Sequence, residues 1–263
     1  MSTELEINDW QHFSSIAEQL DVAAMGSVSY AFRGHANKEW KLNPTLLRNL
    51  NLENKTIDDV LEIEKRSLAE FKSQAHLHIN PNELSLTKDT VSWWTAMQHY
   101  GAPTRLLDWT KSIYVATYFA VTEHLEEDGS VWVVHVGSLH EKMNSLHGSN
   151  TMPKTQTEID ANYFSNDAPE LLIFCNRSSL SERMIAQQGI FSISRNVLSN
   201  HEEVLGQVLE SEPNIVQYKK LIISAHLKPL FAKRLRSMNI TAGSLFPGLD
   251  GLGKYVKEYV QLS

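Results

Sequence analysis

The apolar positions of the chain change period several times, and each change predicts an element. Asn8-Asp9 stands ahead of Trp10, Phe13, Ala17 and Leu20, whose spacing is that of one helical face behind a capping pair. From Val28 to Gly34 the period drops to two. Val28, Tyr30 and Phe32 alternate with Ser29, Ala31 and Arg33, which predicts a strand with one apolar face and Arg33 on the other, at the strand's end. Helical spacing returns over about 57–75, with Leu61, Leu68 and Phe71 inward, and over about 89–100, where Gly101 and Pro103 end it. Residues 104–107 read as a short extended stretch, with Asp108 or Thr110 placed to cap a helix over about 111–124.

Further strands are predicted at 130–136, 171–175, 190–194 and 221–225. Further helices are predicted near 201–209, near 228–238 and from Gly253. The 137–168 stretch is polar and rich in Ser, Asn and Thr, and it reads as a long loop or lid. The sum is an α+β fold: a single domain over 1–263 with a mixed or antiparallel central sheet flanked by helices, residues 1–26 forming an N-terminal helical extension.

Composition narrows the class. With 42% hydrophobic and 21% charged residues the chain can bury a core, so disorder is excluded as its main state. A net charge of −7 argues against the broad basic surface that drives nonspecific nucleic-acid binding, although a local basic groove survives it. Cys175 is the one cysteine, which excludes an internal disulfide and a thiolate metal cluster; in Leu-Leu-Ile-Phe-Cys it reads as a small core residue. His76/His78 and His135/His140/His147 fit no zinc spacing, so no metal is expected. No apolar run approaches a membrane span and the first residues, Met-Ser-Thr-Glu-Leu-Glu, lack the regions of a leader. The expected location is cytoplasmic, without a membrane partner.

Three segments carry candidate chemistry. In Phe32-Arg33-Gly34, a guanidinium fork suits phosphate or carboxylate, and Gly34 lets the chain turn or a ligand approach the backbone; an Arg33 paired with an internal carboxylate is the equal alternative. The run from Gln98 to Thr110 and the helix behind it gather His99, Thr104, Arg105, Asp108, Trp109, Thr110 and Ser112 about a strand-to-helix turn. There, free N–H groups favour anions, while Tyr114 and Tyr118 share a helical face fit to stack on a planar ring. Each of these alone has an ordinary structural reading: an Arg105–Asp108 salt bridge, Thr110 as a cap, tyrosines in the core. The third segment is Glu182-Arg-Met-Ile-Ala-Gln-Gln-Gly-Ile-Phe191, where Gln187 or Gln188 reaches a pocket at a strand's start.

These motifs resemble the FRG-domain family, named for its aromatic-Arg-Gly motif. The matching residues are Phe32-Arg33-Gly34, Trp40-x-Leu42-x-Pro44, Gln98-His-Tyr-Gly-x-Pro-Thr-Arg-Leu-Leu-Asp-Trp-Thr110, Ala116-x-x-Phe119-Ala120, Gln188-Gly-x-Phe191 and Leu245-Phe-Pro-Gly-Leu-Asp-Gly251. They run from about 28 to 253. The family is one of bacterial and phage-related proteins, and the resemblance names a domain without naming a reaction.

A weaker resemblance is to arginine-type ADP-ribosyltransferases, and it would extend to the fold. It implies NAD as substrate, with Arg33 on its phosphates or ribose and the Gly34 backbone on the nicotinamide amide. Thr110 and Ser112 would be the hydroxyl-bearing element and Tyr114 or Tyr118 would lie against the ring. Gln188 falls where the catalytic carboxylate is expected; as an amide it supplies no charge, which leaves Glu182 or Asp108 for that role. Three classes follow: an NAD-dependent ADP-ribosyltransferase-like effector of toxin or anti-phage type acting on a protein or nucleic acid; a nucleotide- or protein-binding module without turnover; and a nuclease using His99, Arg105 and Asp108.

Overall fold

The computed structural model describes residues 4–24, 30–79, 84, 87–148, 155–175, 182–209 and 217–261. Its strands are β1 Glu4–Ile7, β2 Tyr30–His35, β3 Leu107–Thr110, β4 Gly129–His135, β5 Leu172–Cys175, β6 Gly189–Ser194 and β7 Tyr218–Ile223. They form one sheet in the order β1-β7-β4-β2-β3-β6-β5. Among the described residues only β1 and β7 run parallel, so the fold is α+β with a mixed sheet, as the periods predict. Val28 and Ser29, expected in β2, lie outside the described residues. Among the described residues no helix is long and apolar enough to cross a membrane.

Each face of the sheet carries its own helices. On one, α1 (Trp10–Ala24), α5 (Ile113–Val121) and α10 (Lys228–Ser237) bury Phe13, Ala116 and Phe231 against Phe32, Val133 and Leu221. On the other, α4 (Thr90–His99), α6 (Val136–His147), α7 (Gln156–Tyr163) and α9 (His201–Val208) bury Trp94, Leu139, Tyr163 and Leu205 against Trp109 and Trp132. Outside these lie α2 (Thr45–Asn49) and α3 (Ile57–Ala75), with α8 (Glu182–Ala186), α11 (Ala242–Leu245) and α12 (Leu249–Gln261) in the second half of the chain.

Several expectations are corrected. The N-terminal residues are no mere extension: β1 pairs with β7 at the sheet's edge and α1 enters the core. Four edge residues of which only Ile7 is buried leave no alternation to read. The 137–168 stretch is not a loop. The His135 side chain caps α6, and Val136, Leu139 and Met143 are buried at helical spacing under a polar composition. A Thr155–Glu158 capping box then starts α7, while residues 149–154 lie outside the described set. The extended stretch expected at 104–107 is shifted to 107–110, so neither Asp108 nor Thr110 caps the next helix. Ser112 does, its hydroxyl accepting from the Val115 N–H at 3.3 Å. The last helix starts at Leu249 rather than Gly253.

Helix α5 lies unusually low on the sheet. A Cβ on Gly34 would stand 1.8 Å from the Ala116 carbonyl oxygen, and one on Gly129 2.3 Å from that of Ala120. Ala116 and Ala120 are one helical turn apart, so two small residues on α5 meet two glycines on the paired strands β2 and β4. Gly34 is therefore not a turn; the side its Cβ would fill is occupied by the backbone of α5.

We predict that Gly34→Ala and Gly129→Ala each destabilise the fold by roughly 3 kcal/mol or more, as backbone overpacking does. Gly206→Ala, in α9 with nothing within 4 Å of the added carbon, stabilises by about 0.5–1 kcal/mol. Urea unfolding of the three variants checks both signs.

Candidate ligand-binding cavity

Strands β2 and β3 share a single register pair, Phe32 opposite Thr110. Beyond it β2 continues along β4 and β3 along β6, and the side chain of Arg33 spans the opening. Its Nη1 donates to the Asp108 carbonyl. Its Nε donates to His35 Nε2 at 2.9 Å, and His35 Nδ1 meets the Trp40 carbonyl at 3.1 Å. A carbonyl only accepts, so Nδ1 carries the hydrogen and Nε2 is free to accept from the guanidinium. Trp40 of the Trp-x-Leu-x-Pro motif thus acts through its backbone.

Burial first, and the charge of Arg33 second, lower the His35 pKa to about 2 and keep its imidazole neutral. Burial lowers that of Arg33 to about 10, against the pull of nearby Asp108, so the guanidinium stays charged at neutral pH. Among the described residues no carboxylate forms an ion pair with it.

A cavity of about 240 Å³ opens beside this group. Phe32, Gly34, Thr110 and Phe191 line it from the central strands, Thr95, Gln98 and His99 from α4. Phe119 adds an aromatic edge from α5, and α8 with its following turn brings Arg183, Met184 and Gln187. Arg183, like Arg33, has no ion pair among the described residues; its guanidinium lies 5.0 Å from the centre of the Phe246 ring. Asp108, exposed, is the one carboxylate residue of the lining among the described residues.

Of the residues singled out from sequence, Arg33, Gly34, His99, Asp108, Trp109 and Thr110 come together here. Trp109 is also held from within, its Nε1 donating at 2.8 Å to Ser192, which meets His201 at 3.0 Å. The Thr110 hydroxyl accepts from Ser112 N–H at 3.1 Å.

The rest lie elsewhere. Arg105 is 2% exposed and pairs through two nitrogens with Glu64 of α3, not with Asp108; it also donates to the Arg195 carbonyl at 2.9 Å and faces Trp94, Tyr163 and Phe164. Thr104 is buried and donates to Gln98. Ser112 and Tyr114 line a separate surface hollow together with Gln188. Tyr118 packs in the core and donates to Glu258, and Glu182 is exposed outside the lining. Gln188, at φ +50°, turns away, its carbonyl accepting from Lys111 N–H at 3.0 Å, and Gln187 takes the place in the cavity. Thr95, Gln98, Phe119, Met184 and Arg183 were missed. Gln98 and Phe119 sit inside quoted motifs, and Arg183 and Met184 inside the third segment, where only Glu182 and the glutamines were singled out.

Fold and site together define an α+β protein with a guanidinium-centred cavity at a break in its central sheet. Residues 28–129 match the FRG domain, and the chain carries that domain. The match ends before α8 and the C-terminal motif. Comparison with curated proteins and with solved structures finds no match, and the likeness to ADP-ribosyltransferases gains no support.

His201 is likewise held neutral, at about 3, by burial and then by the charge of Arg33. An unfolded histidine binds its proton near pH 6.5, so below that pH the unfolded chain gains protons that the folded one refuses. Stability is full above about pH 6.5 and falls as the pH drops toward the folded values, by up to about 1.4 kcal/mol per pH unit for each of the two imidazoles. Urea unfolding at several pH values from about 7.5 to 5 is expected to give a shallower loss for His201→Gln than for the wild type; equal slopes would refute the assignment.

Proposed function

We propose that the Arg33 cavity binds the anionic part of a nucleotide-type ligand, with NAD the first candidate. The observation that carries this is a pair of guanidiniums, Arg33 and Arg183, lining one cavity with no ion pair to a carboxylate among the described residues. In a chain of net charge −7, such a site invites an anion from outside. A cavity of about 240 Å³ is below the roughly 300–1,000 Å³ that encloses a whole drug-sized ligand, so it takes one end of a dinucleotide and leaves the other outside.

The second reading is ADP-ribosyl transfer, by an effector of toxin or anti-phage type. It is favoured by Arg33 and Gly34 standing together in the lining and by the Asp108 carboxylate beside them. That carboxylate would face the oxocarbenium-like ribose that forms as nicotinamide leaves. The places of Gln188, Glu182, Tyr114 and Tyr118 outside this cavity count against the full transferred set. A nuclease reading loses its trio, because Arg105 is engaged with Glu64 in the interior.

Thermal shift and calorimetry with NAD, ADP and AMP test the proposal, with nicotinamide release followed in the same NAD samples. A ligand at a hundred times its dissociation constant is expected to add about 2.7 kcal/mol of apparent stability. Arg33→Lys, which keeps the charge and loses the fork, is expected to weaken binding about tenfold. No shift with any of the three nucleotides would overturn the proposal. Nicotinamide release that Asp108→Asn abolishes would select the transfer reading over binding alone.

A further inference from the structure

The segment Leu245-Phe-Pro-Gly-Leu-Asp-Gly251 lies outside the matched domain and contributes no residue to the cavity lining. Three lining side chains nevertheless end on it. Gln187 Nε2 donates to the Leu245 carbonyl at 3.1 Å. The Arg183 guanidinium lies over the Phe246 ring, 5.0 Å from its centre, and Phe119 meets the same ring edge-on at 6.0 Å and 84°.

Helix α8, which carries Arg183, has five residues and buries none of them. A helix that short has no stability of its own, so its place is set by what it docks on. The Leu245–Phe246 turn is itself tightly held. A Cβ on Gly251 would stand 1.6 Å from the Phe246 carbonyl oxygen, and Gly248 takes φ +93°. Lys254 of α12 covers the Phe246 ring at 4.1 Å, and Glu258 of the same helix accepts from the Ala242 N–H at 3.3 Å.

We propose that Leu245–Phe246 is a positioning element for the Arg33 cavity: it holds Arg183, Gln187 and Phe119 where they meet the ligand, so that affinity at the site is set in part from the C-terminal helix. This rests on the binding reading above. It accounts for the C-terminal motif without giving any of its residues contact with the ligand.

The test uses the full chain, ADP as the probe, and hydrogen exchange of residues 183–188 as a second readout. Phe246→Leu keeps apolar bulk and loses the ring face; Phe246→Tyr keeps the face. Phe246→Leu is expected to raise the ADP dissociation constant roughly fivefold and to speed exchange over 183–188, with exchange in β4 unchanged. Phe246→Tyr restores both to the wild-type values. Unchanged exchange over 183–188 in Phe246→Leu overturns the proposal whether or not ADP binds, and so does faster exchange with an unaltered dissociation constant. Failure of the wild type to bind ADP refutes the binding reading separately, and the exchange result then decides whether Phe246 positions the wall.

Discussion

A guanidinium keeps its charge at neutral pH, so everything around Arg33 must supply acceptors. The acceptors it meets among the described residues are neutral: an imidazole nitrogen and a main-chain carbonyl. They fix the fork in place without cancelling its charge. The imidazole accepts only because the Trp40 carbonyl claims its other nitrogen, and the carbonyl of Asp108 is within reach only because β2 and β3 part after one register pair. The break in the sheet thus supplies one of the two acceptors and the open space beside them.

Arg105 shows the opposite outcome for the same side chain. It is paired through two nitrogens with Glu64, bonded to a carbonyl beyond β6 and enclosed by three aromatic rings, so its charge is fully answered inside the protein. Removing such a buried partner typically costs about 3–5 kcal/mol. Arg105 joins α3 to the sheet; Arg33 forms no ion pair among the described residues.

The periodic parts of the fold were legible in sequence because each period maps onto one buried face: Phe32 against Arg33 in β2, Leu61 and Leu68 in α3. Helices α6 and α7 were hidden by polar composition, although Leu139 and Met143 carry the helical spacing and Thr155 with Glu158 marks a start. At the site, the sequence singled out Arg33, Asp108, Thr110 and the glutamine pair. The choice between Gln187 and Gln188 depended on a positive φ at Gln188 that no local residue announces. The Arg105–Glu64 pair joins positions 41 residues apart, beyond anything spacing reveals. Gly34 was marked as special, and its reason, the backbone of α5, became visible only in three dimensions.

The most direct measurement is a crystal structure of the protein with ADP. Diphosphate oxygens about 2.7–2.9 Å from the guanidiniums of both Arg33 and Arg183 are the expected result. ADP bound elsewhere, with Arg33 turned onto the carboxylate of Asp108 and the cavity closed, would contradict the central claim.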